Sequence, residues 1–247
     1  MIERRAKVDC TEQRTVRRYM RLAGQQPVHL AATSGHVAML TLLLHHRAEV
    51  EAQDGQGWTP LCCAMMSGTV PAVRLLLESQ AIIDHRNWWL DASPLEIATY
   101  LGRLELVELL IASGAALEDR PCEDRPCGKS ALHVAAVFGG VDVMRSLLRG
   151  RASPDIRFRR SFRLAIRVAW PLIALPYRCG NRSLMCIYAH HLSGATPLQL
   201  AAMVCNWSGV RLLVDARADV EATNDRGATA RSVAEELGLL RVAPLEF

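Results

Sequence analysis

Histidine, cysteine and closely spaced glycine are the residues of this chain with the chemistry to form a site. His29 and His133 have the side chain of a general base or a metal ligand, yet no nucleophile, base and orienting group accompany either one. Cys122 and Cys127 with His133, and Cys179 and Cys186 with His190 and His191, offer enough donors for zinc. Neither set reproduces the usual short paired spacing of a zinc site, so no metal and no other cofactor is expected. Cys62, Cys63 and Cys205 fall where burial is expected, and a buried free thiol behaves as a small hydrophobe. Gly55-Gln56-Gly57 has the Gly-x-Gly form, but it lies at a predicted hairpin tip and not between a strand and a phosphate-binding helix. Catalytic residues are therefore not expected, and the chain reads as no enzyme.

The elements that must carry these residues follow from composition and period. The chain has 247 residues, half of them apolar but only 5% aromatic. Alanine and leucine supply the apolar content, which suits small, closely packed helices better than a β-sandwich. The most apolar stretch, Leu164 to Pro176, is interrupted by Arg167 and Pro171 and falls well short of the roughly 20 residues that a bilayer requires. No secretory leader is read at the N-terminus, and the eight cysteines lack the pairing of a disulfide framework. A reducing compartment is expected, cytoplasmic or nuclear.

One phrase recurs along the chain: "QQPVHLAATSGHVAMLTLLL" from Gln25, "GWTPLCCAM" from Gly57, "GKSALHVAAVFGG" from Gly128 and "GATPLQLAA" from Gly194. Its marks are Pro27, Pro60, Pro94, Ala131, Pro197 and Ala230, at intervals of 33, 34, 37, 66 and 33 residues. A fixed period of this length belongs to a stacked array in which one unit cannot bury its own apolar face. Thr59, Ser93, Ser130, Thr196 and Thr229 stand at helix N-caps, with Pro60, Pro94 and Pro197 following at the first helical position. Gly35, Gly68, Gly102 and Gly139 are placed to end the first helix in the left-handed region. Second-helix cores are predicted at Leu42 to Leu44, Leu75 to Leu77, Leu109 to Ile111, Leu147 and Leu148, and Leu212 to Val214. Asp54-Gly55 and Asn224-Asp225 supply the turns that close a unit.

In its T-P-L-H-x-A signature and its period, the chain resembles the ankyrin repeat family from Gln25 to about Gly238, one stretch excepted. The resemblance implies an all-α solenoid of stacked helix-turn-helix units with β-hairpin finger loops, interrupted here by an irregular insertion. It also implies that His29 and His133 bond backbone between repeats and that proteins bind on the finger tips and inner helices. The expected organisation is a basic N-terminal segment over residues 1–24, repeats one to four over 25–157, a basic insertion or eroded repeat over 158–193, and a fifth repeat with a C-terminal capping copy over 194–247. Arg47, Gln80, Arg151 and Arg217 occupy places where the family usually has a left-handed Gly, with only Gly114 conforming. Gln26 replaces the first cap.

Charge is uneven. Residues 1–24 carry seven basic and three acidic side chains, residues 156–214 carry eight arginines and no acid, and the remainder is net acidic. An arginine-rich stretch with Phe158, Phe162, Trp170 and Tyr177 leaves open contact with nucleic acid or an anionic surface through residues 157–182, although no nucleic-acid fold motif accompanies it. A regulatory or targeting fragment of a larger enzyme is a further alternative. The favoured expectation is a monomeric, non-enzymatic scaffold or adaptor that binds a protein through Trp58, Met66, Ser67, Trp88, Trp89, Tyr100, Leu101, Val137, Phe138 and Met203. Asp119 to Lys129, with two prolines and a charge run, is expected as an extended loop. Deletion of Phe158 to His190 is expected to leave stability unchanged or raised if that stretch is an insertion.

Overall fold

The hydroxyl-proline pairs mark where helices begin. The computed structural model describes residues 24–87, 91–118, 130–158 and 191–238. In it the side chains of Thr59, Ser93, Ser130, Thr196 and Thr229 each accept the backbone amide three residues on, the capping geometry their residue type favours. Gln26 makes no such side-chain bond, as its substitution for Thr predicts. The inner helices so started are α1 (Pro27–Thr33), α3 (Pro60–Ser67), α5 (Pro94–Tyr100), α7 (Ala131–Val137), α9 (Pro197–Met203) and α11 (Ala230–Glu236). After each of the first five comes a nine-residue partner: α2 (Val37–His45), α4 (Val70–Glu78), α6 (Leu104–Ala112), α8 (Val141–Arg149) and α10 (Trp207–Asp215).

The chain divides into two compact units, Met1–Ala115 and Ala116–Phe247. In the first, α1 packs on α3 and α3 on α5, while α2 packs on α4 and α4 on α6. In the second, α7 packs directly on α9, α9 on α11, and α8 on α10. Each unit is a stack of helix pairs, and the apolar face of one pair is covered by the next.

The outer-helix cores differ from the predicted triplets. Three consecutive residues span about 200° of a helix and cannot all face the core. Only the middle residue of three triplets, Leu76, Leu110 and Leu213, and the first of the pair Leu147 and Leu148 are fully buried. The other core positions lie three and four residues earlier, as Ala72 and Val73, Leu106 and Val107, Val143 and Met144, and Gly209 and Val210. In α2 the buried residue is Leu40, and Leu42 is more than half exposed.

Left-handed backbone falls where the sequence places it except at Gly139, and among non-glycine residues it occurs besides at Asp91 and Cys205. Arg47, Gln80, Arg151 and Arg217 have φ of 60°, 68°, 72° and 63°. Gly35, Gly68 and Gly102 end their helices with φ near 70°. Gly139 does not adopt positive φ. Its lack of a side chain matters for a different reason, since a Cβ there would stand 2.7 Å from Ala135 Cα. In the next copy the equivalent place is filled by Cys205 at φ 59°, so Cys205 is an exposed turn residue and not a buried one.

The fingers are hydrogen-bonded turns; among the described residues the one β pairing is an isolated antiparallel bridge, Asn87 with Ala92. Asp54 N–H donates to Trp58 O at 3.0 Å and Asn224 N–H to Ala228 O at 3.0 Å. Asp54 Oδ1 accepts the amides of Gln56 and Trp58, and Asn224 Oδ1 those of Arg226 and Ala228. These are the self-bonding turns that Asp and Asn favour. Between the fourth and fifth copies the same closure joins residues far apart in sequence: Phe158 N–H donates to Ala195 O at 2.7 Å, and Gly194 N–H to Phe158 O at 2.9 Å.

Candidate functional site

The third residue of each of the first five inner helices decides how that helix holds the finger beside it. His29 Nδ1 accepts Gln26 N–H, which leaves Nε2 protonated, and Nε2 faces Ala52 O at 2.9 Å and Trp58 O at 3.0 Å. Gln199 makes the same pair of bonds from its amide, to Ala222 O and Ala228 O, both at 2.8 Å. His133 Nδ1 accepts Ser130 N–H and its Nε2–H donates to Ala195 O at 3.1 Å. Burial pushes the His133 pKa down to about 4. Both of its nitrogens are committed to backbone, so it is neither a free base nor a metal ligand, and the structural role implied by the repeat resemblance is what the geometry gives.

Repeats two and three fill this position differently. Cys62 offers only a weak contact, its Sγ 4.0 Å from His85 O. In the third, Glu96 cannot donate to a carbonyl and instead receives Arg86, whose guanidinium reaches both carboxylate oxygens at 3.0 and 3.2 Å and also binds Asp91 Oδ1 at 3.2 Å. Cys62 and Cys63 are buried as expected, and burial raises their thiols to about 11 and about 12, so neither is a thiolate nucleophile. Cys122, Cys127, Cys179, Cys186 and His190 lie outside the described residues. Among the described residues no three His, Cys, Asp or Glu side chains gather as metal ligands, and no helix is long and apolar enough to cross a membrane.

What remains is a surface. In the first unit the inner helices leave Leu30, Met66 and Tyr100 exposed at 46%, 41% and 57%, large apolar side chains on three successive helices. Leu30, Met66, Thr33 and Cys63 combine with Asp54, Gln56 and Trp58 of the finger and with Gln25 to line a pocket of about 260 Å³. Of the predicted partner-binding residues, Trp58 and Met66 thus meet at one place, with Trp58 half-buried. Ser67 and Leu101 are half-buried beside them in sequence, and Tyr100 stands exposed at the end of α5. In the second unit Phe138 is 62% exposed and Val137 half-buried, but Met203 is 3% exposed and offers no surface. Met203 ends α9, whose faces are covered by α7 and α11. Trp88 and Trp89 lie outside the described residues, as does the predicted loop 119–129. Leu30 and Gln25 were not anticipated: Gln25 precedes α1, and that it lines one pocket with Leu30 follows from no spacing in the repeat.

Comparison with known proteins agrees with this architecture. The family model described as ankyrin repeats in three copies matches residues 5–87 and 28–120, and the single ankyrin repeat model matches 127–158 and 193–225. The chain belongs to the ankyrin repeat family, and its repeats make it a protein-protein interaction domain. It is 35% identical over 124 residues to the human ankyrin repeat and SOCS box protein 11, covering 50% of this chain and 36% of that protein. It is 32% identical over 138 residues to the mouse B-cell lymphoma 3 protein homolog, covering 54% of this chain and 30% of that one. Over 134 residues it is 31% identical to Xenopus laevis neurogenic locus notch homolog protein 1, covering 54% of this chain and 5% of that one. The chain spans about a third of the length of the first of these relatives.

Proposed function

We propose that this chain is a non-enzymatic scaffold or adaptor, monomeric and cytoplasmic or nuclear, that holds a protein partner on its inner helices and fingers. The observation that supports it best is the run of exposed Leu30, Met66 and Tyr100 on successive inner helices of the first unit, beside the pocket that Trp58 shares. Large apolar side chains in a row on a soluble surface mark an interaction site more often than chance exposure. In the second unit Phe138 supplies a comparable anchor.

The domain organisation belongs to the same proposal. Residues 158–193 are read as an insertion that enters at a finger tip between the fourth and fifth repeats, with the repeats continuous around it. The hydrogen-bond offsets support this. His133 reaches Ala195, 62 residues on, where His29 reaches Trp58, 29 on, a difference of 33. Asp219 N–H donates to Asp155 Oδ1 across 64 residues where Ile82 N–H donates to Glu51 Oε1 across 31, again a difference of 33. The basic segment 1–24 and the stretch 159–190 fall almost wholly outside the described residues.

Affinity capture from cell extract with the intact chain and with Met66→Asp, Tyr100→Ala and Phe138→Ala variants tests the surface. Recovery of one partner that falls with these changes while the melting temperature holds supports the reading. Undiminished recovery with all three refutes it.

A further inference from the structure

The first copy has an upstream end that no described helix covers. In the second, third and fifth copies the inner helix packs on α1, α3 and α7, and the outer helix on α2, α4 and α8. The fourth residue of the inner helix is then buried, as Cys63, Ile97 and Leu200. So is the third residue of the outer helix, as Ala72, Leu106 and Gly209. In the first copy these two positions hold Leu30 and Met39, which are 46% and 50% exposed. Two large apolar side chains thus stand where the array elsewhere supplies a neighbour, and covering them favours the folded stack.

Chain to cover this end adjoins it. Residues 1–23 lie outside the described residues, and the segment that ends at Ala23 runs through Gly24 to Gln26 directly into α1. Its last nine residues, Thr15-Val16-Arg17-Arg18-Tyr19-Met20-Arg21-Leu22-Ala23, carry the pattern of a short amphipathic helix. Val16, Tyr19, Met20 and Ala23 recur at helical spacing within a stripe of about 100°, and Arg17, Arg18 and Arg21 fall opposite. Leu22 is the one large apolar residue off the stripe. Thr15 is a favoured N-cap, and Gly24, at φ 78°, is the left-handed residue that commonly follows a helix. A helix this short is marginal by itself, and an apolar seat supplies what it lacks. The family model for ankyrin repeats also matches from residue 5, so the likeness to repeats extends upstream of α1.

We infer that residues 16–23 dock as a helix on the upstream end of the first copy, with Val16, Tyr19 and Met20 over Leu30 and Met39 and the three arginines turned to solvent. Segment and seat belong to one chain, so docking is intramolecular and proceeds at a high effective concentration. The inference gives Leu30 a neighbour from this chain. It is independent of the interaction reading proposed above, whose tested residues, Met66, Tyr100 and Phe138, lie in later copies.

The experiment measures thiol accessibility in the full chain. Met39→Cys and Thr41→Cys each place a thiol at an exposed position of α2, and the position of Thr41 is exposed in all five outer helices. The rate of modification of each thiol by N-ethylmaleimide is read by peptide mass spectrometry. Met39→Cys is expected to react about tenfold or more slowly relative to Thr41→Cys, because the docked helix must open before the reagent enters. Adding Tyr19→Asp to Met39→Cys brings its rate close to that of Thr41→Cys, whereas Arg18→Asp, which puts a carboxylate on the opposite face, leaves it slow. Equal rates for the two single variants overturn the inference. Protection that survives Tyr19→Asp overturns it too, and protection that also weakens on dilution identifies a second copy as the occupant instead. Should Tyr19→Asp disturb the fold, hydrogen exchange of the parent chain decides: amides of residues 16–23 that exchange as fast as in an unstructured peptide refute the docked helix.

Discussion

Removal of Arg159 to His191 is a demanding test of how the fourth and fifth repeats are joined. The deletion takes out 33 residues and leaves Phe158-Leu192-Ser193-Gly194-Ala195, the same count as Asp54-Gly55-Gln56-Gly57-Trp58. Phe158 N–H to Ala195 O and Gly194 N–H to Phe158 O are both retained, as are the contacts of α7 with α9 and of α8 with α10. The described interactions lost are those of His191, whose carbonyl accepts Asn224 Nδ2 at 3.2 Å and whose Nε2 lies 3.3 Å from Glu236 Oε2. The first is an ordinary hydrogen bond of about 1 kcal/mol, and the second, with a half-exposed carboxylate, contributes about 0 to 1 kcal/mol. Shortening the loop between Phe158 and Gly194 from 35 residues to two lowers the closure cost by roughly 2 kcal/mol on the logarithmic length law. Gain and loss nearly balance, so the urea midpoint followed by circular dichroism is expected to stay within about 1 kcal/mol of the parent or to rise. Had the stretch been an integral repeat, several buried aliphatics at about 1.5–3 kcal/mol each would go with it. A loss above about 4 kcal/mol, or a split transition, refutes the reasoning.

Three further outcomes follow from the geometry. His133 is held neutral with its pKa near 4 against 6.5 when unfolded, so between those values the unfolded state binds more protons. Its contribution of about 3 kcal/mol is fully present above pH 6.5 and is lost as pH falls towards 4. Stability curves measured from pH 7.5 to 4 should show this loss and should flatten in His133→Gln, because Gln199 makes equivalent bonds without titrating. Replacing Arg151 or Arg217, at φ of 72° and 63°, by glycine relieves left-handed strain of about 1 kcal/mol each, and calorimetry should record a melting rise of a few degrees. Arg86→Met strands Glu96, which is 4% exposed, at a cost of about 3 kcal/mol or more; the double variant Arg86→Met with Glu96→Gln should recover most of it, and equal melting of single and double variants would refute the pairing.

Much of the architecture was legible because the repeat forces the same residue types into the same backbone slots. Caps at Thr59, Ser93, Ser130, Thr196 and Thr229 could be placed from residue type and spacing, and left-handed turns at Arg47, Gln80, Arg151 and Arg217 from the resemblance to the repeat family. Core membership was less legible in the outer helices: a run of three leucines identifies the helix but not which of them points inward, and the direction depends on the neighbouring pair. Gly139 lacks the left-handed backbone expected of it, because a glycine at a helix end serves close approach as readily as left-handed backbone, and Cys205 takes that backbone in place of the burial expected of it. At the candidate site Trp58 and Met66 were found by register, whereas Met203, at the same register, is buried by its neighbours. The Arg86–Glu96 pair was not foreseen, since ten residues separate its members and only the longer finger brings them together.

The turn closed by Phe158 and Ala195 also has a use in protein engineering. Two backbone partners that bond across a turn stand about 5.5 Å apart, and here 36 residues of chain run between them while α7 stays packed on α9. A guest domain whose own ends lie equally close, such as a fluorescent reporter, can be spliced between Phe158 and Leu192 in place of residues 159–191. The fourth and fifth repeats then act as a clamp on both ends of the guest, and any event that loosens their packing is transmitted to its optical signal.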